Sequence, residues 1–204
     1  MIVHVHPSLG EVLSFAFIVG ICVAIGVFWA LGAYNRLVRL RADVALAGLA
    51  LLRQWQSQAQ LLTHALAGLP PLSERDSMWQ SLSDEHAPWR SLAQAAKQLQ
   101  ACLTGIIGDA QSHVRLPPVD DLSSAQSAKS VLDDAWQRLR AQHDDLAGAA
   151  VPQQLLMQWQ QQCTLSEERR AHYNAGVQTY HQAITQFPAM VLAWVCSFDA
   201  TTPL

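Results

Sequence analysis

Eight histidines, four cysteines and 16 acidic residues bound the chemistry open to this 204-residue chain. His4 and His6 flank a single residue and would capture a metal weakly, but no third ligand stands near them. His172 and His181 are separated by about 900° of helical rotation and so lie on opposite faces. Asn174 and His181 do share a face, placed to hydrogen-bond a neighbouring helix and hold its register. A general base at His181 would require a nucleophile or carboxylate aimed at the imidazole, and the sequence places none there. The pairs Asp120-Asp121, Asp133-Asp134 and Asp144-Asp145 point in different directions around a helix, and no Glu-x-x-His accompanies them. Glu167, Glu168, Arg169 and Arg170 read as a solvated helix face with weak i,i+3 pairing. Cys22, Cys102, Cys163 and Cys196 lack metal-ligand spacing and read as small buried hydrophobes. A phosphate-cradling glycine loop and a Gly-x-Ser-x-Gly elbow are both missing. The seven tryptophans are spread over all helices as core and groove anchors, and those near His181 admit a pocket. The chain is expected not to be an enzyme and to bind no metal or cofactor.

The elements that position these residues are helices. Gln, Ala and Leu abound, Val and Ile are sparse beyond the N-terminal run, and no stretch alternates as a half-buried strand would. Residues 12–33 carry no charge. At about 1.5 Å per residue the run is roughly 33 Å long, enough to cross a hydrocarbon core of about 30 Å. Trp29 and Tyr34 lie where amphipathic rings favour the headgroup level. Arg36, Arg39 and Arg41 follow, suited to anionic headgroups. All 13 Lys and Arg residues come after the run. The positive-inside rule therefore puts the short N-terminus (1–11) outside and the rest in the cytoplasm of a bacterial inner membrane, as a single-pass protein. A signal peptide would carry its positive charges before a shorter apolar core. Gly26 and Ala30 make a weak small-xxx-small hint of dimerisation within the membrane.

Helical periodicity continues past the membrane through Leu37, Leu40, Val44, Ala47, Leu51, Leu62 and Ala65, with Arg39, Arg53, Gln56 and Gln60 opposite. Residues 12–67 are thus expected to form one rod, stopped by GLPPL (68–72). A second helix starts at Ser73, kinks near His86 to Pro88, and runs on through Leu92, Ala95, Ala96, Leu99, Cys102, Leu103 and Ile106 to about His113. A third covers 122–147 on Leu122, Ala125, Ala128, Val131, Leu132, Ala135 and Leu139, with Asp133, Asp134, Arg138 and Arg140 outward. The fourth begins near Pro152 and ends at Pro188. Its residues Tyr173, Val177, Tyr180, Ile184 and Phe187 repeat at alternating four and three, a packing seam for a shallow crossing. The expected fold is all-α: an N-terminal transmembrane helix (12–33) continuous with a long antiparallel four-helix up-down bundle (34–188). The apolar tail (189–204) caps the bundle, lies in the membrane interface, or receives a partner.

Two segments together resemble the LemA family of single-span bacterial membrane proteins. YNRLVRLR (34–41) after the apolar run is similar to the family's opening YN-x-LV-x-LR. YNAGVQTYHQAITQFP (173–188) is similar to its closing YN-x-x-V-x-x-YN-x-x-I-x-x-FP. The resemblance implies an extended antiparallel helical bundle on an N-terminal anchor, without established enzymatic activity. There are departures. AGLALLRQWQSQAQLLTHAL (47–66) replaces the family's polar stretch with its Asp and paired basic residues, His181 stands where Asn is usual, and the tail reads AWVCSF (193–198).

The expected partners are the lipid bilayer and other membrane proteins or a second copy of the chain. A clustered basic face for nucleic acid is lacking, and a small-molecule ligand is not the first expectation. The first function is a non-enzymatic bundle presenting an interaction or self-assembly surface. The alternative is a ligand-sensing or regulatory module signalling across the membrane through the first helix.

Overall fold

The computed structural model describes residues 9–67, 87–113, 118–143, 151–186, 190, 201 and 203–204, with side chains from residue 17 onward except at 111–113, 142 and 143. Every element among them is helical: α1 Leu9–Ala67, α2 Ala87–His113, α3 Val119–His143 and α4 Gln153–Thr185. The expected start at Ser73 and the kink at His86 lie outside the described residues. So do Phe187 and most of the apolar tail.

Solvent exposure divides α1 into two parts. Phe17, Ile21, Ile25, Phe28 and Leu31 are all exposed, Phe28 at 79%. This part is long and apolar enough, by length and composition, to cross a membrane. Leu37 is then 1% exposed, and beyond it Val44, Leu51, Leu52, Trp55, Ala59 and Leu62 are buried. Arg39, Arg53 and Gln60 stay in solvent on the other face.

α2 buries Leu92, Ala95, Ala96, Leu99, Leu103 and Ile106, a stripe set by the three-four spacing. α3 starts at Val119, three residues before the expected Leu122. The Pro118 carbonyl accepts the Leu122 N–H at 3.1 Å, so Asp120 and Asp121 sit inside the first turn, where a carboxylate complements the helix dipole. Pro152 is the N-cap of α4 rather than its first residue, and its carbonyl accepts from Leu155 and Leu156. α4 ends at Thr185, short of Pro188, with Gln186 extended and its N–H on the Gln182 carbonyl.

α1 packs against both α2 and α4, and α2 packs against α3. Between α1 and α4, Val44 meets Gly176, Gly48 meets Tyr173, Gln54 meets Gln162 and Gln58 meets Cys163. Gly48 permits the close approach, since a Cβ there would lie 3.2 Å from the Tyr173 ring. The fully buried leucines on α1, α2 and α3 each contribute about 1.5–3 kcal/mol by leaving water. α3 and α4 stand at the two ends of the row α4–α1–α2–α3. They close on each other through Trp136 and Trp159, whose ring centroids are 4.8 Å apart.

Candidate functional site

Where α3 and α4 close, the interior is hollow and polar. The inward seam of α3 is Leu122, Ala125, Lys129, Leu132, Trp136 and Leu139, with alternating steps of three and four. Lys129 therefore occupies a core position and is only 9% exposed. Its ammonium meets both carboxylate oxygens of Asp133, one turn further on, and lies 5.7 Å from the centroid of the Trp159 ring. This geometry pairs the charge and adds a cation–π attraction. Asp133 keeps 44% of its side chain exposed, so the pair leans from the interior toward solvent.

α1 and α4 supply the facing wall. The Trp55 indole N–H donates to Ser166 Oγ at 2.9 Å, joining residues 111 apart in sequence. Gln58 is fully buried; its Nε2 faces Cys163 Sγ at 4.0 Å and its Oε1 has no partner. An orphaned buried amide oxygen is uncommon, because its desolvation goes uncompensated. Gln54 Nε2 donates to Gln162 Oε1 at 2.7 Å just above. Between these walls lies a cavity of about 350 Å³, lined by Trp55, Trp136 and Trp159 and by the polar groups of Gln58, Lys129, Asp133, Cys163 and Ser166.

Glu167, Arg170 and Leu204 also line the cavity. Arg170 Nε donates to the Leu204 carbonyl at 2.8 Å, and Asn174 Nδ2 donates to the same oxygen at 2.7 Å. The Leu204 N–H returns a bond to Asn174 Oδ1 at 2.9 Å. Leu204 is thus pinned to α4 beside the cavity.

Burial pushes the Cys163 thiol up, outweighing the opposing pull of the Lys129 ammonium, so sulfur stays protonated and weakly nucleophilic. Ser166 Oγ accepts the Trp55 N–H. His181, the imidazole further along α4, stands about 22 Å away by helical rise. Among the described residues no group of three His, Cys, Asp or Glu could hold a metal ion.

The seam residues Tyr173, Val177 and Tyr180 are buried, and Ile184 is half-buried. Asn174 bonds the main chain at Leu204, not a neighbouring helix. His181 is half-buried, with its ring 6.4 Å from that of Tyr180 and Nε2 buried without a partner. His172 is exposed, as are Trp29, Tyr34, Arg36 and Arg39; Arg41 is half-buried. His4, His6, Cys196 and Phe187 lie outside the described residues.

Four expectations need correction. Asp133 is not simply outward; it turns back to neutralise Lys129. Val131 is exposed at 47%, because the seam of α3 runs through Lys129 and Leu132 instead. Cys22 is exposed, and Cys102 and Cys163 are half-buried rather than core. The tryptophans that line the cavity are not near His181, Trp159 being about 33 Å from it along α4, and Trp194 lies outside the described residues. Lys129, Gln58, Cys163 and Ser166 were missed as a set. The signal for Lys129 was legible, since strict three-four spacing from Leu122 to Leu139 passes through it.

No family model, curated protein or solved structure matches this chain.

Proposed function

We propose that this chain is a single-span protein of the bacterial inner membrane, with residues 12–33 in the bilayer and an antiparallel helical bundle in the cytoplasm. The bundle is a non-catalytic interaction module of LemA-like type, engaging other membrane proteins or a second copy of the chain. The observation that carries this reading is the switch of environment along α1. Apolar side chains are exposed up to Leu31, burial begins at Leu37, and Arg36 and Arg39 mark the boundary. So large an apolar surface on one helix is costly in water and belongs in lipid or against a partner. A helix that is both anchor and core couples the membrane mechanically to the bundle. A reporter fused after Leu204 is expected to be active in the cytoplasm only; periplasmic activity would reverse the topology. Crosslinking in intact membranes is expected to trap a protein partner or a homo-oligomer, and recovery of monomer and lipid alone would remove the interaction role.

A second reading, a module that responds to a small molecule, is favoured by the hollow polar layer between α1, α3 and α4. Its test is a thermal-shift screen of the full-length protein against a broad small-molecule collection. A saturable stabilising ligand supports it, and a blank screen counts against it.

A further inference from the structure

The cavity combines three features that folding alone does not require. Its volume of about 350 Å³ falls in the range of small-molecule sites. A fully buried amide, Gln58, turns an oxygen to no partner. A lysine and its counter-charge occupy a seam position of α3 where leucine would pack. A polar layer serving only to set helix register would be packed shut, as protein interiors generally are.

Charge selects the ligand class. The lining side chains are balanced in number, Lys129 and Arg170 against Asp133 and Glu167, so neither sign of charge dominates. A cation taking Asp133 would strand the ammonium of Lys129 in a site only 9% exposed; an anion taking Lys129 would strand Asp133. The first is strongly unfavourable because the ammonium is buried; Asp133 keeps 44% of its side chain exposed, and an anion is disfavoured there by the like charge of that carboxylate. A zwitterion avoids both, because one ion pair is replaced by two and each charge keeps a partner. Its ammonium also brings the N–H donors that Gln58 Oε1 lacks.

We infer that this cavity binds a small zwitterion of the α-amino-acid class, with carboxylate on Lys129, ammonium on Asp133 and Gln58, and side chain against the indoles of Trp55, Trp136 and Trp159. The assignment deepens the small-molecule reading above and rests on it.

The test uses the full-length protein in detergent micelles, titrated with each standard L-amino acid while indole emission and thermal midpoint are followed. At least one aromatic or aliphatic amino acid shifts both, saturably. The same side chain offered as the decarboxylated amine, the deaminated acid or the N-acetyl amide binds at least about tenfold more weakly. Lys129→Met lowers affinity by at least about tenfold, with helicity retained by circular dichroism, and Asp133→Asn does the same from the other side of the pair. Silence toward every amino acid, an equal response to the N-acetyl amide, or full affinity in both variants overturns the assignment. A stabilising hit of another class in the broad screen would then leave the small-molecule reading standing, whereas a blank screen as well would remove both.

Discussion

The indole of Trp136 on α3 meets that of Trp159 on α4 at 4.8 Å between centroids, with the planes tilted by 31°. Both rings are buried, and through them the two ends of the helix row come together. α3 otherwise packs on α2 and α4 on α1, so this aromatic pair bridges two halves of the bundle.

Trp136→Ala should therefore do more than empty a site. The lost burial and residual cavity cost about 3–5 kcal/mol, and α3 loses its hold on α4. Urea unfolding should show the drop in midpoint. Hydrogen exchange should show α3 amides losing protection more than α1 amides. Uniform loss over all helices would contradict the bridging role.

The two halves of the Lys129–Asp133 pair should respond unequally. Lys129→Met removes the buried charge and leaves Asp133 with 44% of its side chain in solvent, and is expected to change stability by no more than about 1 kcal/mol. Asp133→Ala leaves the ammonium buried without a counter-charge. It is expected to cost about 1–3 kcal/mol, less than a fully buried pair because Asp133 reaches solvent. Denaturant midpoints of the two variants check the order.

Glycine positions separate packing from propensity. At Gly105 a Cβ meets nothing within 4 Å, so Gly105→Ala should stabilise α2 by up to about 1 kcal/mol. At Gly48 a Cβ would press on the buried Tyr173 ring at 3.2 Å, so Gly48→Ala should fail to gain and is expected to lower the thermal midpoint. A matching rise in both variants would mean that α1 and α4 are less closely apposed.

Burial pushes the Tyr173 phenol up from 10.0 to about 12. The folded state therefore keeps a proton that the unfolded chain releases, and stability falls as pH rises. The contribution is complete below pH 10 and declines from about 10 to about 12. Between about pH 9 and about pH 11 the loss is about 1 kcal/mol. Tyr173→Phe should remove that part of the alkaline decline. Chemical denaturation at the two pH values, in both proteins, measures the difference.

Helical faces were largely legible, because a three-four repeat is local and each residue reports its own side. Leu92, Leu99, Leu103, Val44 and Leu51 all went inward where the repeat placed them. Helix ends were less legible: α3 gained a turn because Asp120 and Asp121 are better placed inside a helix N-terminus than in a turn. The candidate site was almost illegible. Asp133 beside Asp134 reads as surface until Lys129 is known to be buried, and the tryptophans read as anchors until three of them face one void.

The chain's order of residues alone determined that this protein is helical, where prolines and glycines interrupt it, and that the 22 uncharged residues 12–33 suit a membrane. These are properties of neighbours along the chain, set by backbone geometry and side-chain polarity. Only the tertiary structure decided that Trp55 and Gln58 would face Cys163 and Ser166 across more than a hundred residues, with Lys129 and Trp136 closing the third side. Helix rotation and mutual register set that meeting, and both are fixed by packing of the whole bundle rather than by any local pattern.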